Sequence, residues 1–558
     1  MRGGRSRSLS AMSESVSTNR PSSWWRHAIV YQVYPRSFRD ANGDGTGDVE
    51  GIRLQLPYLS ALGVDAIWMN PWYPSPLLDG GYDVADYRDI APRFGTLDDA
   101  RRLIAEAHDH NIKVIVDLVP NHTSWEHEWF KAALAGGPGS PERERYIFRP
   151  GSGPNGSLPP NNWVSVFGGS AWTQTEDGEW YLHLFDISQP DLNWNHPAVR
   201  EEFRSIFRFW TDLGADGFRV DVAHGLIKDQ TFRDVDDPDK ALTVSIGDDH
   251  PHWDRDEVHE INREWRAVLN EQEARLGREL MMVAEAGVSP ESLPLYLRPD
   301  EYHQAFNFDF LECPWDRDEM VDRISDAIAR ADAVGSASTW VLSNHDRVRH
   351  ATRYGLPVDT DNNEWLMHGP YEILDADLGL RRARAATLLL LALPGSTYVY
   401  QGEELGLHEV YDLPHDVLDD PVWARSEHTF KGRDGCRVPM PWTADGPSFG
   451  FGSAGSWLPQ PASFATVAAS AQDGVTGSTL ELYRAAIALR RELWVNAPDL
   501  VWDNEERNNV LSFTRGSLRC VINLGDDAID LPNGDLVLSS DDVIGNMLPG
   551  NTGCWLRV

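Results

Sequence analysis

Cysteine is scarce in this chain. Only Cys313, Cys436, Cys520 and Cys554 occur among 558 residues, and no two of them form a C-x-x-C pair. That spacing argues against zinc-finger and dithiol redox motifs and fits a reduced, cytoplasmic protein. Long apolar runs are missing too. None approaches the roughly 18 residues of a membrane-spanning helix, so no membrane partner is expected. Residues 1–22 are rich in Arg and Ser but lack the apolar stretch of a signal peptide, and they read as a disordered extension in which Met12 offers an alternative start. Positive charge is also short: 50 Lys and Arg stand against 86 Asp and Glu, a net charge of −36. Without a basic face the chain cannot displace phosphate counterions, which excludes nucleic acid as a partner. No solenoid-type repeat is present.

What is there exceeds a single hydrophobic core. Apolar residues make up 41% and charged residues 24%, the balance of a soluble globular protein. The 22 tryptophans suit either core packing or stacking on the C–H faces of sugar rings. Strand-like and helix-like segments alternate from HAIVYQVYP (27–35) through VDAIWMNP, KVIVDLVPNH, GFRVDVA, ELMMVAEAG, HQAFNFDF and STWVLSNHD to TYVYQGEE. Eight such β–α units predict an α/β fold, a closed parallel (β/α)8 barrel, over residues 23–122 and 196–480. The Gly-, Pro- and Trp-rich stretch 123–195 is too long for a loop and predicts an inserted subdomain after the third strand. The last segment, 481–558, alternates with turn signals and predicts a small antiparallel β domain.

Three acidic residues close buried strand-like runs: Asp221 in GFRVDVAHG, Glu285 in MMVAEAG and Asp346 in WVLSNHD. A carboxylate there is costly unless it is paired, liganded or used, so three of them point to one constellation at one end of the barrel. Arg219 lies two residues before Asp221 on the same strand face, and a guanidinium there would keep the carboxylate ionised, as a nucleophile requires. Glu285 follows an apolar run with no Lys or Arg nearby in sequence, surroundings that would suit a general acid. His345 and His122 end similar runs, and Arg433 and Arg437 could clamp carboxylates or sugar hydroxyls.

Taken together, DLVPNH, GFRVDVAHG, VAEAG and VLSNHD, with QPDLNW (189–194), resemble the hallmark regions of glycoside hydrolase family 13, the α-amylase family, in the same order. DANGDGTGDVEGI, LLDGGYDVADY and GRDGCRVPMPW resemble the branch holding α-glucosidases and oligo-1,6-glucosidases. The resemblance implies a retaining, exo-acting enzyme on small α-glucosides. Asp221 would be its nucleophile, Glu285 its acid/base and Asp346 its transition-state stabiliser. It places Asp79, Tyr82, His122, Phe185, Gln189, Arg219, Val222, His345, Arg433 and Arg437 around the reacting sugar. Val222, next to the nucleophile, tends in that branch to accompany α-1,6 cleavage, but the following Ala223-His224-Gly225 departs from the usual oligo-1,6-glucosidase sequence. Linkage therefore stays open, as do transfer, trehalose synthesis or sucrose isomerisation on the same scaffold, and the oligomeric state.

The segment from Asp40 to Asp48 alternates oxygen-bearing side chains with glycines, as a loop around a hard cation does, although the twelfth position, Gly51, is not the Glu of an EF-hand. The rival reading is an Asx-rich turn without metal. The resemblance implies a structural Ca²⁺ or Mg²⁺ held by Asp40, Asn42, Asp44, the Thr46 carbonyl and Asp48, and no organic cofactor.

Overall fold

The computed structural model describes residues 23–237, 249–503 and 507–558, so the extension predicted over residues 1–22 lies outside the described residues. The apolar runs form eight strands: β1 (Ile29–Val33), β2 (Ala66–Met69), β3 (Lys113–Leu118), β4 (Gly217–Val220), β5 (Met281–Ala284), β6 (Gln304–Ala305), β7 (Thr339–Val341) and β8 (Ser396–Tyr400). Helices cover one face of these strands and side chains fill the other, which is why near-continuous apolar runs are tolerated. The strands pair in parallel in the order β7-β8-β1-β2-β3-β4-β5-β6. This is a (β/α)8 barrel with one seam. Between β6 and β7, among the described residues, no ladder is present. Instead the Thr339 hydroxyl donates to Ala305 O at 2.8 Å and accepts from Asn307 N at 3.2 Å.

The strand read from HQAFNFDF is shorter than its apolar pattern suggests. It stops after two residues because Asn307 caps a helical turn, Phe308–Leu311, its Oδ1 accepting from Phe310 N. The intervening helices follow their local signals. Leu97–Asp109 opens with a Thr96/Asp99 capping box and buries Ala100, Leu103, Ile104 and Ala107 at helical spacing. Pro197–Leu213 begins on proline and stops at Gly214, whose φ of 123° needs no Cβ.

Between β3 and that helix stands a three-stranded antiparallel sheet of Phe148–Pro150, Glu179–Leu182 and Trp172–Gln174. The C-terminal part carries a five-stranded antiparallel sheet (Val501–Trp502, Val510–Arg515, Leu518–Asn523, Thr552–Arg557, Asp535–Ser539). It is tied to the barrel helix Ala376–Ala392 by Trp555 Nε1, which donates to Leu388 O. Trp72, Trp194, Trp210 and Trp265 are fully buried, so core packing explains much of the tryptophan content. All four cysteines are free and buried. No helix among the described residues is long and apolar enough to cross a membrane.

Candidate active site

The acidic residues meet at the C-terminal ends of the strands, where loops carry a barrel's chemistry. Arg219, inside β4, is their hub. Its Nη1 lies 2.9 Å from Asp117 Oδ1 and 2.5 Å from Asp221 Oδ1, and its Nη2 lies 2.8 Å from Glu285 Oε2. One cation thus faces three carboxyls, all packed under Trp68 and Tyr82, whose rings lie 5.1 and 5.6 Å from the guanidinium carbon.

This arrangement bears on two expectations. Glu285, which has no Lys or Arg nearby in sequence, is ion-paired with a residue 66 positions away, which no local reading could detect. Arg219 pulls the Asp221 carboxyl down, as expected, but burial outweighs it and the net direction is well up. Burial does most of this, and the nearby Glu285 and Asp117 carboxyls add to it. Asp117 is likewise raised by burial, to about 6, against the pull of Arg219. Asp221 and Glu285 lie within hydrogen-bonding reach of each other.

The backbone around the pair is constrained. Asp221 N donates to Leu118 O and Glu285 N to Val220 O, which continues the barrel ladder past the strand ends. Val222 then adopts a φ of 46°, rare for a β-branched residue, and its N–H donates to Glu285 Oε2 at 3.1 Å.

A second group closes the pocket. Asp346 is held well below the usual carboxylate range although burial opposes this, because His345, Arg433 and Arg437 surround it. Arg433 Nη1 and Arg437 Nη2 lie 3.0 and 3.1 Å from its Oδ1. Arg433 Nη2 also reaches Asp79 Oδ1 at 2.8 Å, across 354 residues. Asp79 accepts in turn from Gln189 Nε2 at 3.0 Å, and that amide lies 3.1 Å from His122 Nε2. Tyr82 stacks on His345 at 5.3 Å, and Phe185 packs on His122 at 5.0 Å. Burial pushes His122 down to about 4 and His345 to about 3, so both rings are neutral near pH 7. The structure therefore gathers Asp79, Tyr82, His122, Phe185, Gln189, Arg219, Val222, Asp221, Glu285, His345, Asp346, Arg433 and Arg437 into one connected constellation.

The sequence model of the alpha-amylase catalytic domain matches residues 32–497. The chain belongs to the α-amylase family of glycoside hydrolases. It is 37% identical over 524 residues to a probable alpha-glucosidase of Rhizobium meliloti, covering 90% of each chain. It is 36% identical over 502 residues to an oligo-1,6-glucosidase of Parageobacillus thermoglucosidasius, covering 84% of each. Among solved structures, an alpha-glucosyl transfer enzyme superposes with a TM-score of 0.81 at 34% identity, over 96% of this chain and 99% of that one. The trehalulose synthase MutB of Pseudomonas mesoacidophila gives 0.83 at 27% identity, over 96% and 100%.

In this α-amylase family chain several supporting residues escaped the sequence reading. Asp420, whose side chain is fully buried, accepts from Arg433 Nε at 2.5 Å and orients its fork. Gln32 Nε2 contacts His345 Nδ1 at 2.8 Å and donates to Asn70 Oδ1. Lys228, also buried, joins Asp191 Oδ1 (2.7 Å), Asn121 Oδ1 (2.8 Å) and Gly225 O (2.7 Å), tying the loop after β4 to the inserted segment. Asp191 sits inside QPDLNW, so its motif was visible while its lysine was not.

The Asp40–Asp48 loop is folded on its own backbone. Asp40 accepts from Gly43 N and Gly45 N, Asp44 from Thr46 N, and Asn42 from Asp44 N. Asp48 accepts from Ala41 N, Asn42 N and Gly51 N while capping Val49–Leu54. These oxygens are of the kind a hard cation takes, and a carboxylate oxygen that accepts one N–H keeps a further lone pair. Among the described residues, however, no three His, Cys, Asp or Glu side chains are gathered as ligands.

Proposed function

We propose that this protein is a retaining, exo-acting α-glucosidase that releases α-glucose from the non-reducing end of short α-glucosides of the maltose and isomaltose type. The observation that carries this reading is the pairing of Asp221 with Glu285 on Arg219, beside a pocket closed by the Asp79–Arg433–Asp346 bridge. Retaining hydrolysis needs one ionised and one protonated carboxyl flanking the bond. In this reading Glu285 protonates the leaving oxygen while Asp221 bonds to the anomeric carbon. Asp346, kept anionic by its arginines, accepts from sugar hydroxyls. Asp79, His122, Gln189 and His345 offer further polar contacts to a single terminal ring, and the closed side favours attack at chain ends. Val222 lines the approach to Glu285 and biases linkage by shape, an effect typically worth about 1–3 kcal/mol.

The loop from Asp40 to Asp48 enters the proposal as a structural site for Ca²⁺ or Mg²⁺. Its hard-oxygen donor set supports this, although as placed the carboxylates are engaged with backbone N–H groups. No chemical step passes through it. The free, buried cysteines suit a cytoplasmic setting.

A second reading, glucosyl transfer or isomerisation by the same pair, draws on the likeness to the alpha-glucosyl transfer enzyme. A product assay on equimolar maltose, isomaltose, sucrose and trehalose, with early NMR of the glucose anomer, separates the two. Fresh α-glucose from maltose or isomaltose is expected, and their ratio gives the linkage. Maltose turned into trehalose, or sucrose into an isomer, with little glucose would replace the first reading by the second.

A further inference from the structure

The seam between β6 and β7 lies beside Glu285. On its inner side is a small cavity walled by Trp68, Arg219, Glu285, Phe306, Asn307 and Val341. On its outer side, between strands and helices, is another, walled by Leu297, Ala305, Asn307, Ala331 and Thr339 among others. Their volumes, about 10 and about 20 Å³, are on the scale of one water each. Asn307 belongs to both walls, at the point where the ladder gives way to the Thr339 hydroxyl.

The polar atoms here are unevenly used. Asn307 is 6% exposed, and its Oδ1 accepts from Phe310 N. Its Nδ2 has no hydrogen-bond partner among the described residues, and neither does Arg219 Nε. A buried N–H left without a partner costs about 1–3 kcal/mol. Two such donors in the wall of a cavity that also holds a carboxylate make the set of about three polar partners that a buried water takes.

We propose that the β6–β7 seam is a water inlet to the catalytic pair, with Asn307 at its neck. The inference rests on the α-glucosidase reading. In that reaction the glucosyl group on Asp221 is released when a water oxygen bonds to the anomeric carbon. The bond between that carbon and Asp221 breaks, and the water's proton passes to the Glu285 carboxylate. Water supplied through the barrel wall reaches Glu285 without waiting for the leaving sugar to clear the mouth, whereas a sugar acceptor arrives only through the mouth. The inlet therefore favours hydrolysis over transfer, and Asn307 acts as a positioning residue.

Asn307→Leu removes the donor and fills the neck with apolar atoms. With nitrophenyl α-glucoside as donor and maltose as acceptor, the ratio of transfer product to free glucose should rise about three- to tenfold, the change one lost hydrogen bond produces. Asn307→Ser, which keeps a cap acceptor and widens the neck, should leave that ratio unchanged or lower it. Melting curves establish that both variants are folded. A crystal structure of the unsubstituted protein should show ordered water at Asn307 Nδ2 or Arg219 Nε. A folded Asn307→Leu variant with its ratio moved by less than about twofold, below the effect of one such bond, overturns the inlet. If that variant does not fold, a crystal structure without water at either atom does so. Failure of the α-glucosidase reading looks different: the unsubstituted protein would release no nitrophenol.

Discussion

Replacing Asp420 tests whether the pocket is held together by charge pairing well behind the sugar. Its carboxylate is fully buried and lies 2.5 Å from Arg433 Nε. It also accepts from Arg433 N at 2.9 Å and from Val422 N at 3.0 Å, capping the short helix Pro421–Arg425. Breaking a buried pair from one side costs about 3–5 kcal/mol. Arg433 would keep Asp79 and Asp346 as partners, which places Asp420→Ala near the lower figure, and the lost cap adds about 1 kcal/mol. The expected destabilisation is thus about 4 kcal/mol for Asp420→Ala, and about 1 kcal/mol less for Asp420→Asn, which keeps the cap acceptor. With its guanidinium no longer anchored, Arg433 presents Asp79 and Asp346 less rigidly. KM for maltose should then rise by about tenfold, one hydrogen bond's worth, with a smaller change in kcat. Urea unfolding followed by tryptophan fluorescence, together with initial rates, gives both quantities. A cost for Asp420→Ala under about 1 kcal/mol, the scale of an exposed ion pair, with KM unchanged, would refute the argument.

Three other expectations can be measured directly. Asp221→Asn should lose nearly all turnover while its melting temperature holds or rises, since it removes a carboxyl from a crowded cluster; substantial residual activity would sink the nucleophile assignment. Burial raises Glu403 to about 8, with Tyr400 N and the Tyr483 hydroxyl as its donors. The fold therefore holds a proton that the unfolded chain releases near 4.5, and this contribution to stability is lost as pH rises through about 8. It amounts to a few kcal/mol at most, so Glu403→Gln should flatten the decline in urea midpoint between pH 5 and pH 8, and parallel curves would contradict it. Removing divalent ions with EDTA should lower the melting temperature, and Ca²⁺ or Mg²⁺ should restore it with little effect on kcat; an unmoved melting temperature would favour the self-bonded turn.

The barrel was legible because most of its buried strands left a largely apolar run and the helices between them apolar residues at helical spacing, and both signals are local. Only β6 misled, since HQAFNFDF carries a strand's composition while the Asn307 cap turns Phe308 and its neighbours into helix. Single residues of the site were readable where motifs end strands, as with Asp221, Glu285 and Asp346. Their electrostatics were not. The sharing of Arg219 by Asp117, Asp221 and Glu285 is a fact of three-dimensional convergence, and so is the burial that lifts Asp221 against the pull of Arg219. The roles of Asp420 and Lys228 carry no local signal: Asp420 reads as a helix cap before Pro421, and Lys228 as an ordinary loop lysine, until the fold buries each against its ion-pair partner.

The span between Asp79 and Arg433 bears on how the enzyme is made. During synthesis the acidic side of the pocket emerges first, and the two arginines that neutralise Asp346 arrive only with residues 433–437. A chain ending before them would present Asp79 and Asp346 without either arginine. The bridge that closes the pocket therefore forms only once the chain has been made through residue 437.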